Sequence, residues 1–237
     1  MSTNIVFTKE NLNDYLRLLA KEYRKLNGKN MPTEIILVGG AAILANYGFR
    51  EMTYDVDALI QASSLMKEAI NHVGDSLGLP NGWLNSDFMK TKSYSPHLSQ
   101  YSTYYKTFSN VLTIRTISGA YLIAMKLMSL RQYKNDISDI VGILIEQEQL
   151  EKPISMEDID EAVLNLYGGW MNMPKDSKQM IHNIVRSDNL QTIYNKYRDE
   201  EVTNKDSLLE FNKKYPNVTN EGNVKDIITN LKARKNK

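Results

Sequence analysis

The 237-residue sequence contains no cysteine and only three histidines. Without cysteine the chain has no disulfide, no thiolate nucleophile and no cysteine-ligated zinc. The histidines, at positions 72, 97 and 182, are far apart and lack the spacing of metal ligands. We therefore assign them neither a metal site nor a catalytic triad, and other side chains must carry any chemistry.

An excess of one charge sign is also lacking, since 29 basic residues face 28 acidic ones for a formal net charge of +1. The whole chain therefore has no general attraction to nucleic acid or membrane. No apolar run reaches transmembrane length, and the N-terminal sequence has no signal-peptide core, so we expect a cytoplasmic protein without a membrane partner. The absence of P-loop, GxSxG and GxGxxG motifs argues against P-loop, serine-hydrolase and dinucleotide chemistry.

The most informative stretch is residues 35–60, IILVGGAAILANYGFREMTYDVDALI. Four apolar residues precede two glycines and predict a buried strand, because such a run is too short for a helix. The next residues, AAILA, predict a helix with Gly48 as its left-handed C-terminal residue. A second predicted strand, residues 54–60, begins with Asp55 and Asp57. Because these acids are two apart, their side chains point to the same face of the strand.

The two acids and the two glycines suggest a site for a metal ion and a triphosphate. Neighbouring carboxylates need a cation to stay ionised, and Mg²⁺ takes oxygen ligands that it shares with phosphates. Gly39 and Gly40 would let a phosphate approach the backbone at a helix N-terminus. Two plainer interpretations stay open. Asp-x-Asp pairs are most often acids that face solvent, and a Gly-Gly pair can serve tight packing alone.

A larger set of residues resembles a known family. The set consists of Gly39, Gly40, Arg50, Thr53, Asp55, Asp57, the PNGWLN segment at 80–85, Met125, Lys126, Leu127, Arg131, Asp136 and Asp139. This pattern is similar to the signature of the DNA polymerase β type nucleotidyltransferase superfamily. Within that superfamily it resembles the bacterial branch related to AbiEii abortive-infection toxins. The resemblance covers residues 34–144.

The resemblance implies transfer of a nucleotidyl group from an NTP to an acceptor hydroxyl, with Mg²⁺ as cofactor. The implied catalytic residues are Asp55, Asp57 and Lys126, with Asp55 and Asp57 as the metal ligands. The implied nucleotide-binding residues are Gly39, Gly40, Arg50, Thr53 and Asp136. The resemblance also implies an RNA, protein or small-molecule acceptor and a role in a toxin–antitoxin or phage-defence system, with a cognate antitoxin or toxin protein as partner.

One departure from the superfamily pattern leaves an alternative open. Many members carry a third carboxylate on a later strand, but the corresponding VLTIRTI segment, residues 111–117, holds Arg115 and no acid. Two carboxylates could hold the metal with phosphate and water, with Asp87 or Glu51 as stand-ins for the third. In the alternative, the fold has lost turnover and acts as a nucleotide-binding or regulatory partner protein.

Three of the implied site residues also have simpler interpretations. Arg50 could be a structural ion-pairing residue, and Lys126, in a largely apolar helix, could meet a structural carboxylate in place of a phosphate. Asn135 or Asp136 could be the N-cap of the helix that follows, with Asp139 near its positive end.

The order of the predicted elements gives an α/β (α+β) fold, a small mixed sheet of a nucleotidyltransferase fold flanked by helices. We predict a nucleotidyltransferase-like domain at residues 1–150 and a helical C-terminal region at residues 151–237. Predicted helices occupy residues 8–27, 63–77, 119–133, 135–149, 155–168, 177–185 and 190–198. Residues 203–237 carry two weaker helix signals. Residues 78–110 are predicted irregular, and tyrosines 94, 101, 104 and 105 within them could stack on a base. The basic end, residues 232–237, is interpreted as a solvated tail, with RNA contact as the alternative.

Overall fold

The computed structural model describes residues 5–27, 31–60, 63–220 and 222–235. The strands are β1 (Thr33–Leu37), β2 (Val56–Ile60), β3 (Leu84–Asn85), β4 (Ser102–Phe108) and β5 (Leu112–Ile117). The α-helices are α1 (Lys9–Asn27), α2 (Gly39–Asn46), α3 (Ser64–Leu77), α4 (Gly119–Ser129), α5 (Asp136–Gln149), α6 (Met156–Tyr167), α7 (Ser177–Val185), α8 (Leu190–Lys214) and α9 (Val224–Lys235). This is the predicted class, a mixed sheet flanked by helices and followed by a helical C-terminal region.

The strands form one sheet in the order β3-β2-β1-β5-β4. The central strand β1 is antiparallel to β2 and parallel to β5, and the parallel pair requires a long crossover connection. In the β1–β2 pair Leu37 lies opposite Ala58, and the Val38 N–H donates to the Asp57 carbonyl at 3.0 Å. The end of β1 therefore lies beside the start of β2, which brings the glycine turn and the two acids together.

Local sequence signals set several helix boundaries as predicted. The Ser63 hydroxyl accepts a hydrogen bond from the Met66 N–H at 3.3 Å and caps α3. Ser155 and Asp158 form a reciprocal capping box at the start of α6. Gly168 ends α6 in the left-handed conformation. Each of these signals acts within four residues of chain, so the sequence alone predicts them.

Gly48 does not have the left-handed conformation predicted for it. The helix α2 ends at Asn46, and Tyr47 continues in extended backbone with φ −123°. The Gly48 N–H then donates to the Glu146 carboxylate of α5 at 2.8 Å. A contact with a residue 98 positions away therefore directs the chain here, and no local pattern carried that information.

The helix α4 is shorter than predicted, because it ends at Ser129 rather than near residue 133. Leu130 follows with φ 42°, a left-handed conformation that is costly for a residue with a branched side chain. Its N–H still donates to the Lys126 carbonyl at 2.8 Å. Residues 130–133, LRQY, contain no glycine or proline to mark the end of a helix, which explains why the prediction was too long.

Residues 78–110 are more ordered than predicted. They contain β3, 3₁₀ turns at Asp87–Lys90 and Leu98–Tyr101, and the seven-residue edge strand β4. Strand β4 is antiparallel to β5 and exposes most of its residues. Its polar, irregular sequence becomes a strand because β5 supplies the backbone partners. In the C-terminal region, α8 likewise runs to Lys214, well beyond the predicted residue 198.

One apolar core runs from the sheet into the C-terminal region. It includes Ile35 and Leu37 of β1 as well as Ile159 and Val163 of α6 and Ile181 of α7. Helix α4 packs against α6, and α5 packs against α8. A domain division at residue 150 stays a prediction. The last two residues of the basic end lie outside the described residues. Within the described ranges, no helix has both the length and the apolar character needed to cross a membrane.

Candidate active site

A cavity of about 250 Å³ opens where β1 ends and β2 begins. Its wall includes Gly39 and Gly40 from the start of α2, together with Asp55 and Asp57 from the start of β2. The rest of the wall comes from α4, from the segment between α4 and α5, and from the 3₁₀ turn after β3. Three parts of the chain that are distant in sequence therefore meet at this cavity.

The two acids bring negative charge to the cavity without a direct ion-pair partner in the described ranges. Across the described ranges, neither Asp55 nor Asp57 forms an ion pair within 4.0 Å. Partial burial, reinforced by the charge of Asp55, raises the pKa of Asp57 to about 6. The Thr53 hydroxyl donates to Asp55 Oδ1 at 3.2 Å and fixes that carboxylate. A cation bound between the two carboxylates would relieve their repulsion.

Glycine is needed at positions 39 and 40 for two different structural reasons. Gly39 has φ +53°, a conformation that favours glycine, and its missing Cβ would lie 3.9 Å from Asp57 Oδ2. A Cβ on Gly40 would lie 2.8 Å from Thr53 Oγ1 and 2.9 Å from Arg50 Nη2. Gly40 therefore allows Thr53 and Arg50 to pack directly against the turn. The tight-packing interpretation holds for Gly40, and Gly39 gives the turn its backbone conformation.

A chain of largely buried ion pairs contributes Arg50, Lys126 and Arg131 to the cavity wall. The Lys126 ammonium is 2.9 Å from Asp136 Oδ1 and 2.8 Å from Asp139 Oδ2. Arg50 donates to Asp139 Oδ1 at 2.6 Å, and Arg131 Nε donates to Asp136 Oδ2 at 2.9 Å. Three cations thus share two carboxylates, so the network carries one net positive charge.

Burial and pairing act in opposite directions on the charges of this network. Burial alone would raise the pKa of Asp136, but the Lys126 ammonium and the Arg131 guanidinium hold it well below its usual range. Burial would likewise lower the pKa of Lys126, but the carboxylates of Asp136 and Asp139 raise it. Lys126 and Asp136 therefore stay charged, and removing one of them would leave a buried charge without its partner.

The structure brings most of the predicted site residues to the same cavity. Its wall contains Gly39, Gly40, Arg50, Asp55, Asp57 and Lys126. Thr53 and Asp136 are buried and contact wall residues without lining the cavity themselves. For Arg50 and Lys126, the structural ion-pair interpretation describes the observed contacts. Asp136 is the first residue of α5 after Asn135 at the N-cap, and its carboxylate bonds to Lys126 and Arg131.

Two cations of the cavity wall, Arg131 and Lys134, were given no role from the sequence. Both lie in the segment between α4 and α5, and both lower the pKa of Asp57 through space. Lys134 is exposed, whereas Arg131 is partly buried. Their spacing, a pair of basic residues three apart at the end of a predicted helix and before two acids, was the available signal.

The third acidic position of the superfamily has no equivalent on β5. Arg115 donates from Nε to the Ser102 hydroxyl at 2.8 Å and belongs to the β4–β5 pair. Asp87 lines the cavity but pairs with Lys90, and Glu51 is exposed and does not line it. In the ranges that the structure describes, no group of three or more acidic or histidine side chains is arranged to hold a metal ion. Protein ligands for Mg²⁺ would be Asp55 and Asp57.

Three of the four tyrosines considered for base stacking pack within the protein. Tyr101 stacks on Tyr121 with ring centroids 4.0 Å apart, and Tyr94 packs edge-on against Phe88. The Tyr105 hydroxyl donates to Asn13 of α1. Tyr104 is 64% exposed on the edge strand β4 and does not line the cavity.

Residues 14–205 match a family described as "Nucleotidyltransferase of unknown function (DUF6036)". The chain belongs to this family. The match spans the glycine turn, both acids and the whole ion-pair network, so the family supports nucleotidyl transfer and an NTP substrate. No curated protein and no solved structure matches the chain. The family description names no branch, and the likeness to AbiEii-type toxins stays a prediction.

Proposed function

We propose that this protein is a Mg²⁺-dependent enzyme that transfers a nucleotidyl group from an NTP to an acceptor hydroxyl. One observation supports the proposal above the others. Asp55 and Asp57, without an ion-pair partner in the described ranges, share a cavity with the Gly39-Gly40 turn and with the cations Arg131 and Lys134. That combination suits a triphosphate, which brings both negative charge and a bound divalent cation.

Asp55 and Asp57 would hold the Mg²⁺ ion. The donor set fits, because Mg²⁺ commonly binds through one or two protein carboxylates and completes its shell with water and substrate phosphates. When bound, the ion would neutralise the negative charge that develops on the triphosphate oxygens. Thr53 keeps the Asp55 carboxylate in place through its hydroxyl.

The protein's own groups would position the triphosphate. The turn at Gly39 and Gly40 presents the N-terminus of α2, which favours negative charge. Arg131 and Lys134 would attract the terminal phosphates. Lys126 would contribute indirectly, by pairing with the carboxylates of Asp136 and Asp139. In the transfer, the acceptor oxygen forms a bond to the α-phosphorus. The bond from that phosphorus to its bridging oxygen breaks, pyrophosphate leaves and the hydroxyl proton passes to water.

The finer biological setting is proposed from the resemblance to the AbiEii-type branch. It supports a role in a toxin–antitoxin or phage-defence system, with a cognate antitoxin or toxin protein as partner. The acceptor would then be an RNA, a protein or a small molecule with a free hydroxyl. The shared fold does not choose among these acceptors, so the assay must offer more than one class.

The test is a transfer assay with α-³²P-labelled ATP, GTP, CTP and UTP in Mg²⁺, each alone and with total RNA. It compares the wild-type protein with an Asp55→Asn/Asp57→Asn double variant and with Asp75→Asn. Asp75 is an exposed acid of α3 that does not line this cavity, so it controls for loss of one carboxylate. Label on RNA or on the protein is expected with wild type and Asp75→Asn, and it should be absent from the double variant.

A second candidate is a nucleotide-binding protein without turnover, favoured by the arginine that replaces an acid on β5. Mg²⁺-dependent NTP binding without label on the RNA or the protein, and without released pyrophosphate, would support this candidate. Transfer that persists in the double variant would exclude Asp55 and Asp57 from catalysis. Absence of both transfer and NTP binding would contradict both candidates.

A further inference from the structure

The helix α8, which lies outside the cavity, contacts the chain segment that leads into β2. The Lys205 ammonium lies over the Tyr54 ring, 4.6 Å from its centroid, directly before Asp55. One face of α8 also presents Tyr194, whose ring packs edge-on against Phe49 at 6.1 Å between centroids. The segment that carries Arg50, Thr53 and the first acid is therefore held from the side of α8.

Glu201 of α8 caps the start of α5. Its side chain is buried, with 3% of the residue surface exposed, and it accepts the Ile137 N–H at 2.8 Å and the Ser138 N–H at 3.4 Å. The Ser138 hydroxyl donates to its second oxygen. The first N–H groups of a helix have no partner within the helix, and Asn135 at the N-cap makes no side-chain cap bond. Glu201 therefore supplies the cap from another helix.

Asn204 acts one helical turn further along the same face of α8. It is 2% exposed, and its side-chain amide donates to the Gln132 carbonyl at 2.7 Å. Gln132 lies between Arg131 and Lys134, the two cations of the cavity wall that follow α4. Asn204 thus fixes the backbone from which both cations project.

The segment between α4 and α5 needs such support. It begins at Leu130, whose left-handed backbone costs free energy, and it has no regular secondary structure until Asp136. Asp136 holds its first part, since its carboxylate accepts the Arg131 N–H at 2.9 Å. Asn204 holds its middle at Gln132, and Glu201 holds the start of α5, where the segment ends. Neither residue lines the cavity.

We propose that Glu201 and Asn204 are positioning residues, which hold residues 130–135 so that Arg131 and Lys134 face the triphosphate. The substrate in this statement rests on the proposed function. The inference adds that the C-terminal helical region takes part in nucleotide binding without touching the nucleotide. Loss of Glu201 would leave the buried N–H groups of Ile137 and Ser138 unsatisfied, and loss of Asn204 would free the Gln132 carbonyl, so either change would release the segment.

The experiment uses the full chain with Glu201→Ala, Asn204→Leu, Glu201→Gln and Glu200→Gln. The Glu201→Gln variant keeps a hydrogen-bond acceptor in place, and Glu200 is an exposed neighbour that controls for the same chemical change. Three quantities are measured. They are the dissociation constant for each of ATP, GTP, CTP and UTP with Mg²⁺, the KM and kcat of transfer, and hydrogen–deuterium exchange over residues 130–138.

Asn204→Leu, which loses one hydrogen bond, should raise the dissociation constant and KM about tenfold, and Glu201→Ala, which loses three, should raise them by at least as much. The kcat value should change by less than about twofold, because the groups proposed at the reacting atoms are untouched. Exchange over residues 130–138 should accelerate in both variants, while Glu201→Gln and Glu200→Gln resemble wild type. A purely structural role would lower the thermal midpoint and leave the affinity of the folded protein unchanged.

The outcomes separate this inference from the proposed function. Wild-type NTP binding that neither Glu201→Ala nor Asn204→Leu weakens would overturn the inference and leave the function standing. A wild-type protein that binds no NTP would overturn the function, and the exchange data would then decide the inference. In that case, unchanged exchange over residues 130–138 in Asn204→Leu, the variant that keeps the α5 cap, would overturn the inference that Asn204 positions this segment.

Discussion

The cavity has two charged sides, which differ in how their charges are compensated. On one side, Lys126 is bonded to Asp136 and Asp139 within 2.9 Å and is 7% exposed. On the other side, Asp55 and Asp57 have no ion-pair partner within the described ranges, and burial raises the pKa of Asp57 to about 6. Both clusters contain several charges, yet only in the cluster around Lys126 does each carboxylate have a direct ion-pair partner.

The difference separates charges that build the site from charges that wait for a ligand. A buried ion pair such as that of Lys126, with all partners present, has little left to offer a substrate, and breaking it costs stability. The network's one surplus positive charge, with Arg131 at the cavity wall, remains available to a phosphate. Two adjacent carboxylates without a paired cation repel each other. A bound cation would relieve that repulsion, which stabilises the bound state. On this basis changes at Asp55 or Asp57 should affect activity, and changes at Asp136 should affect folding.

The largest expected effect is on transfer by Asp57→Asn. Activity should fall by about a hundredfold or more, since charge stabilisation at a metal is worth several kcal/mol. Folding should not weaken, because the amide removes repulsion from Asp55. The measurement is kcat/KM beside a urea unfolding curve for the same preparation. A parallel fall in stability would mean that Asp57 belongs with the structural charges after all.

The next effect is on folding by Asp136→Asn. The substitution leaves Lys126 and Arg131 partly uncompensated in a buried place, and we expect a loss of about 3–5 kcal/mol in the free energy of unfolding. Urea unfolding monitored by tryptophan fluorescence measures it. Asp14→Asn, which breaks an exposed pair with Arg17, is the matched control and should leave the midpoint unchanged. Equal behaviour of the two variants would refute the distinction between the clusters.

A smaller effect concerns pH and Glu201, whose pKa burial raises from its ordinary value of 4.5 to about 7. Between these values the folded protein binds more protons than the unfolded chain, so stability should fall as pH rises from about 4.5 to about 7. Asp139 is the acid that adds to this upward shift. Glu201→Gln should remove roughly 2 kcal/mol of this pH-dependent fall. Unfolding curves at pH 5 and pH 7.5 would give identical pH dependence for both proteins if Glu201 were ionised throughout.

The smallest effect is expected for Lys134→Gln, which removes an exposed cation from the cavity wall. NTP affinity should weaken by roughly threefold to tenfold, and the loss should shrink at high salt because the interaction is screened. Titration with ATP and Mg²⁺ at low and high salt measures it. Lys67→Gln, on the exposed side of α3, is the control. No difference between the two variants would remove Lys134 from the proposed triphosphate contacts.

Part of the fold follows from local sequence alone. The caps at Ser63 and Ser155 and the short apolar run before Gly39 each act over a few residues, and the predicted helices and central strands are confirmed there. Strand β4 was missed because its exposed, polar residues become a strand only through pairing with β5. The predicted left-handed conformation of Gly48 was wrong for a similar reason, because its N–H donates to Glu146 of α5, a contact distant in sequence.

The candidate site divides in the same way. The spacing of Asp55 and Asp57 placed both at one strand start, and their shared cavity with Gly39 agrees with that expectation. The sequence did not decide the partner of Lys126, which could have been a phosphate or a structural carboxylate. Arg131 and Lys134 received no role, because their position depends on where α4 ends, and a left-handed Leu130 sets that end.

The sequence by itself determined the two strands, the turn between β1 and α2 and the paired acids, because backbone preference and period act over neighbouring residues. It also carried the pattern that relates the chain to nucleotidyltransferases. Only the tertiary structure decided which charges are already paired, since Arg50 meets Asp139 across 89 residues. It likewise assigned Glu201 of α8 to the start of α5, because burial and long-range hydrogen bonds depend on packing that no local pattern encodes.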